Sequence, residues 1–145
     1  MSRLKTNFRK AEDSSGFLLW KASNLLQRMH SGCLSGLNIT PTQFSLMTCL
    51  VYLHQQGRVT ASGIVDHSGM DKMMVSDLLK TLVKKKLVKR KPNPEDGRSF
   101  LLEPTRLGEG ITNSAVLKIE ALDSDFFKKV KDITSFHKDL ASLVA

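Results

Sequence analysis

Nine basic side chains crowd residues 72–98: Lys72, Lys80, Lys84, Lys85, Lys86, Lys89, Arg90, Lys91 and Arg98. Only Asp77, Glu95 and Asp96 oppose them there, whereas residues 99–145 carry six basic and seven acidic groups. The whole chain has a formal charge of +8, so most of its excess sits in one short stretch. Cations gathered in this way do no bond chemistry. They attract a polyanion, and duplex DNA releases counterions when Lys and Arg neutralise its phosphates. A membrane-surface helix would set its basic residues beside a broad apolar face with bulky aromatics. Here the basic run passes from a helical pattern into a Pro/Gly turn, which suits a grooved polyanion. Double-stranded DNA is the expected partner, with no role for a membrane.

Other reactive side chains are sparse. His30 and Cys33, at i and i+3 on one helical face, could supply two metal ligands. Without a second pair nearby a structural role is expected, and no metal site. Cys33 and Cys49 are too few for a disulfide framework and form no CxxC, so reduced thiols are expected. His54, His67 and His137 are scattered. No Ser/His/Asp set, HExxH or phosphate-binding Gly loop appears, so neither enzymatic activity nor a cofactor is expected. The start, MSRLKTNFRKAEDSSG, has no apolar core of a secretory signal, and residues 29–57 lack charge but are too polar to span a bilayer. A soluble cytoplasmic protein is the expectation. With 41% hydrophobic and 25% charged residues over 145 positions, composition predicts one compact globular subunit.

The elements that must position the basic run follow from periodicity. Leu18, Ala22, Leu25, Leu26, Met29 and Cys33 predict a helix over about 16–36, capped by Ser14 or Ser15 and closed at Gly36. Thr40-Pro41-Thr42-Gln43 is a capping box with proline at the first helical position. The helix it opens, about 41–55, is expected to bury Phe44, Met47, Leu50 and Val51. Thr60 caps a short helix of about 61–67, Ser68-Gly69-Met70 makes a tight turn, and Asp71 caps a helix of about 71–85. That second helix has Val75, Leu78, Leu79 and Leu82 on one side and Lys72, Met73, Ser76, Asp77 and Lys80 on the other. At most one of Met73 and Met74 can point inward. Two such helices joined by a Gly turn read as a helix-turn-helix, whose second helix enters the major groove.

Leu87–Lys91 and Ser99–Leu102 then predict two short strands around Pro92-Asn93-Pro94-Glu95-Asp96-Gly97-Arg98, a hairpin with a basic root. A helix-turn-helix followed by a basic hairpin is a winged helix. Helical spacing returns over about 105–130 (Leu107, Ile111, Ala115, Leu117, Ala121, Leu122, Phe126, Phe127) and 132–144 (Ile133, Phe136, Leu140, Leu143). These terminal helices carry more apolar surface than so small a winged helix could cover, so a dimerisation layer is expected.

These stretches resemble the MarR family of dimeric winged-helix transcription regulators. LNITPTQFSLMTCL (37–50) is similar to a family helix, and residues 70–108 are similar to its recognition helix, wing and the start of its fifth helix. Within the latter, Asp96-x-Arg98-Ser99, then Leu102, then Thr105-x-x-Gly108 matches the wing signature. The resemblance implies a symmetric homodimer on a pseudo-palindromic operator, usually repressing nearby genes and released by a small aromatic or phenolic effector. It places Lys72, Met73, Met74 and Ser76 at the major groove, Arg98 at the minor groove, and Asp96 as the acid that organises the wing. Many relatives hold the effector between the dimer layer and the winged helix, which makes Trp20, His30, Phe44 and Met47 the candidate pocket. One branch senses oxidants through a cysteine near the start of the first helix; this chain reads Phe17-Leu18-Leu19-Trp20 there, so redox sensing is not expected. Three positions depart from the pattern: Asp77 and Gly97 stand where Arg is frequent, and Lys86 stands where Gly is usual between recognition helix and strand.

The expected architecture is therefore mostly α with a small antiparallel β wing. Residues 1–36 form an N-terminal arm and dimerisation helix, 37–104 the winged helix-turn-helix, and 105–145 C-terminal dimerisation helices. The expected function is sequence-specific regulation of transcription, as a repressor. The recognition helix is about 71–85 and the wing about 89–100; Lys72, Met73, Met74, Ser76, Asp77, Lys80, Lys89, Arg90, Lys91 and Arg98 are the candidate DNA contacts. Two alternatives stay open at this point: a winged helix docking an acidic protein, and a nonspecific architectural DNA binder.

Overall fold

The computed structural model describes residues 1–145. Six α-helices and one hairpin follow in the order α1 (Ser15–Leu34), α2 (Pro41–His54), α3 (Ala61–Ser68), α4 (Lys72–Lys84), β1 (Val88–Pro92), β2 (Phe100–Pro104), α5 (Arg106–Phe126) and α6 (Ile133–Val144). Each helix starts because a Ser, Thr or Asp side chain accepts a hydrogen bond from an otherwise unpaired backbone N–H. The caps are Ser14, Thr40, Thr60, Asp71, Thr105 and Asp132. At α2 the box is reciprocal: Thr40 Oγ1 accepts from Gln43 N at 3.2 Å, and Gln43 Oε1 accepts from Thr40 N at 3.2 Å.

The helix ends differ from the sequence reading at two places. α1 does not close at Gly36. It tightens into a single 3-10 turn over Ser35–Leu37, and Asn38 takes the left-handed conformation at φ 54°. Asn tolerates that region because its short polar side chain bonds locally. The helix read over 105–130 stops at Phe126, followed by a 3-10 turn over Phe127–Lys129.

One continuous core of sixteen buried apolar residues joins the elements, from Leu34 of α1 through α2, α3, α4 and the hairpin to Ala115 and Ile119 of α5. α2 runs through its centre and buries Gln43, Leu46, Met47, Cys49 and Leu50. Phe44 and Val51, expected inside, are only half-buried, because neighbours on several sides of α2 shift its covered face toward Leu46 and Cys49. Val75, Leu79 and Leu82 seat α4 on this core. Neither Met73 nor Met74 points inward.

The wing is a two-stranded antiparallel ladder with Val88 opposite Pro104, Arg90 opposite Leu102 and Pro92 opposite Phe100. Leu102 N also donates to Val59 O at 2.8 Å, fastening the hairpin to the segment between α2 and α3. α6 buries no residue at all. Its Phe136 leans on Phe127, ring centres 6.0 Å apart, while Ile133, Leu143 and Val144 face outward.

Candidate nucleic-acid interface

Asp71 builds the first turn of α4. Its Oδ1 accepts from Met73 N at 2.6 Å and from Met74 N at 3.1 Å, which fixes the helix start and leaves Lys72 on the rim. At 100° per residue, Met73, Asp77, Lys80 and Lys84 form the stripe opposite Val75, Leu79 and Leu82. All four are exposed, and Ser76 lies beside them. Met73 keeps 73% of its surface in solvent. An exposed row of Met, Ser, Asp and Lys on a helix wedged onto a core matches what a groove-reading helix presents.

The run Lys84-Lys85-Lys86 is not one cationic patch. Lys84 points to solvent. Lys85 turns back and donates through Nζ to Asn38 O at 2.7 Å and Gln43 Oε1 at 3.0 Å, tying the end of α4 to the start of α2. Lys86 adopts φ 61°, the left-handed exit that the MarR resemblance assigns to glycine. The chain therefore turns as glycine would, at a steric cost of about 1 kcal/mol for a side chain with a Cβ.

α5 begins on that same corner. Thr105 N donates to Leu87 O at 3.0 Å, Thr105 Oγ1 donates to Lys86 O at 2.6 Å, and Gly108 N donates to Thr105 Oγ1 at 2.9 Å. A Cβ at Gly108 would collide with the Leu87 carbonyl, so helix and strand meet backbone to backbone. This explains the Thr105-x-x-Gly108 spacing physically: it joins the end of α4 to the long terminal helix.

The three wing cations divide between two faces, since alternate strand residues point oppositely. Lys89 and Lys91 share a side with Glu103, and Lys91 Nζ lies 2.8 Å from Glu103 Oε2. That hydrogen bond holds the Glu103 carboxyl below its ordinary range. Arg90 leans over the exposed Phe100 ring, 5.8 Å from its centre. At the tip, Asp96 Oδ1 accepts from Arg98 N at 2.9 Å, and Asn93 Nδ2 donates to Ser99 Oγ at 2.9 Å, shaping the loop that carries Arg98. Arg58 Nη1 reaches Glu95 at 3.4 Å, a link between the α2–α3 segment and the wing that spacing alone could not reveal. Lys72, Lys80, Lys84, Lys89, Arg90 and Arg98 are exposed and have no carboxylate partner.

The four residues expected to line an effector pocket occupy different settings in a single copy. Trp20 projects from the outer face of α1, 67% exposed, over a shallow depression made by α1 alone. Met47 is core, packed toward Gly108. His30 is half-buried and its Nε2 lies 2.6 Å from Asp123 Oδ1, bracing α1 against α5. His30 thus meets a carboxylate across the fold, and no group of three metal-ligating side chains includes it with Cys33. Phe44 alone lines a sizeable hollow, about 600 Å³ and open to solvent, with Thr48, Cys49, Tyr52, His67 and Met70. Tyr52 and His67 stack across it at 5.3 Å. Residues three apart on α2 point 60° from one another, which is enough to send Met47 to the core and Phe44 to the rim. Burial pushes the Cys49 thiol up, away from the reactive thiolate.

No helix of the chain is long and apolar enough to cross a membrane. The MarR family profile matches residues 39–100, which span α2 through the wing. The chain is 33% identical over 140 residues to the uncharacterised HTH-type transcriptional regulator YdcH of Bacillus subtilis, covering 96% of this chain and 95% of that one. Its fold is similar to that of BpsR from Bordetella bronchiseptica, whose DNA binding is regulated by 6-hydroxynicotinic acid, with a TM-score of 0.84, 18% identity, and coverage of 95% and 98%. It is also similar to the Mycobacterium tuberculosis regulator MOSR in complex with DNA, at TM-score 0.78, 20% identity, and coverage of 90% and 92%. Near-full-length identity to an HTH-type regulator, the family profile over the helix-turn-helix and wing, and the shared fold agree: this chain belongs to the MarR family.

Proposed function

We propose that the chain is a transcription regulator, not an enzyme, that acts in the cytoplasm as a homodimer on a pseudo-palindromic DNA operator and represses nearby genes. Residues 37–104 bind DNA, and residues 1–36 and 105–145 join the two copies. α4 lies in the major groove and presents Lys72, Met73, Met74, Ser76, Asp77 and Lys80 to base edges and phosphates. The wing reaches the neighbouring minor groove through Arg98, with Asp96 holding the loop, while Lys89, Arg90 and Lys91 face the backbone; Lys91 contributes least because Glu103 already neutralises it. The observation that supports this most is the set of unpaired cations on α4 and the wing, held on a rigid core beside an exposed reading face.

Dimerisation is supported by the outward apolar side chains of α1 and α6, which nothing in a single copy covers. A small aromatic or phenolic effector fits the hollow beside Phe44, Tyr52 and His67, where its occupancy would shift α3 relative to α2. That hollow replaces the Trp20–His30–Phe44–Met47 grouping as the effector candidate.

Titration into labelled duplex from the region upstream of the chain's own gene, beside a scrambled duplex and at two salt concentrations, tests the function. The expected result is salt-sensitive binding that prefers the upstream duplex. Equal binding to both would make the chain an architectural binder, and no binding at low salt would leave a protein-docking wing.

A further inference from the structure

Asp77 is the anomaly of the reading face. It sits at the middle of the exposed stripe of α4, one turn after Met73 and three residues before Lys80. None of the chain's ion pairs includes it, and its side chain caps no backbone N–H. The only side-chain hydrogen bond at this position comes from a neighbour, Thr81 Oγ1, which donates to the Asp77 main-chain carbonyl at 3.3 Å. A free carboxylate at the centre of an otherwise cationic face is repelled by every phosphate, so it must either oppose binding or meet a donor on a base.

We infer that Asp77 is a specificity-determining residue that selects cytosine in each half-site, a reading that rests on the proposed DNA-binding function. Among the four bases only cytosine offers the major groove an N4 amino donor with no acceptor of its own beside it. Guanine presents O6 and N7 and thymine presents O4, all acceptors that repel a carboxylate. Adenine sets its N6 donor next to the N7 acceptor, so one carboxylate oxygen gains what the other loses. Lys80, one turn further along the same stripe, supplies the opposite chemistry and suits the O6 and N7 of a guanine. Asp77 therefore excludes three bases by repulsion as much as it attracts the fourth, which is how discrimination is built without extra affinity.

Selection from randomised duplexes with the full-length protein, run in parallel with Asp77→Asn and Asp77→Ala, tests this. The native protein should enrich a site with cytosine fixed at one position of each half. Asp77→Asn should move that position toward adenine, whose N6 and N7 an amide matches, and Asp77→Ala should leave it unspecified, with the remaining positions unchanged. In direct titrations, replacing that C·G pair by T·A should weaken native binding about tenfold but Asp77→Ala binding by less than about twofold. A site enriched by the native protein and unchanged in both variants overturns the assignment of Asp77 alone. Failure of the native protein to enrich any site overturns the sequence-specific reading and this inference with it.

Discussion

The winged helix and the terminal helices are both rich in apolar residues, yet they dispose of them in opposite ways. Between Leu46 and Leu102 the large aliphatics turn inward: Leu46, Leu50, Ile64, Val75, Leu82 and Leu102 are almost fully buried. α1 buries only Leu34, and α6 buries nothing, while Leu18, Leu19, Trp20, Ile133 and Leu143 stay largely exposed. The first region is complete as a single copy. Nothing within one copy covers the second, and contiguous uncovered apolar faces mark contact surfaces. Charge follows this division only in part: residues 72–98 carry nine basic and three acidic groups and residues 99–145 are near balance, but residues 1–36 carry six basic and two acidic. In the proposed function the first region is the reading head and the second the coupling layer, and the corner at Lys86, Leu87, Thr105 and Gly108 is where the two regions join.

That corner should be the most sensitive point. Gly108→Ala forces a methyl into the Leu87 carbonyl and is expected to cost about 3 kcal/mol in denaturant unfolding, as overpacking with backbone displacement does. Gly110→Ala, two residues on with open space around it, should instead stabilise by about 1 kcal/mol from helix propensity. If both behave alike, the close backbone approach is not what holds the corner. The coupling layer is tested next: Leu140→Glu with Leu143→Glu should weaken self-association about a hundredfold in sedimentation while circular dichroism of the winged helix is retained. An unchanged dimer would place the contact elsewhere. In the reading head, Arg98→Ala should weaken DNA binding about tenfold and lower the salt slope by about one unit per protomer, without altering self-association. The smallest effect belongs to Lys86→Gly, which relieves the left-handed lysine and should raise stability by about 0.5 kcal/mol after the added freedom of the unfolded chain is counted. A loss of stability there would mean that the Lys86 side chain makes contacts which outweigh its backbone strain.

Local signals carried most of the fold. Thr40-Pro41-Thr42-Gln43 announces a helix start because its bonds close within four residues, and Asp71 after Ser68-Gly69-Met70 does the same for α4. The wing turn is legible from its two prolines and Asp-Gly for the same reason. What escaped the sequence reading spans long separations. His30 meets Asp123 across 93 positions, Lys85 bonds Asn38 and Gln43, and Arg58 reaches Glu95. No periodicity encodes such pairs, since they depend on how finished elements pack. The setting of each candidate effector residue was less legible for a related reason: one-dimensional spacing orders side chains around a helix but does not say which neighbour covers each face. The candidate DNA contacts were easier to assemble, because α4 and the hairpin are consecutive and their outward faces follow once the buried ones are known.

The stoichiometry on DNA tests the joined-halves account most directly. Sedimentation of the protein with a labelled duplex carrying its selected site should give a complex of two chains per duplex, formed in one step. A complex of one chain per duplex at saturating protein, with binding as tight and as selective, would contradict it.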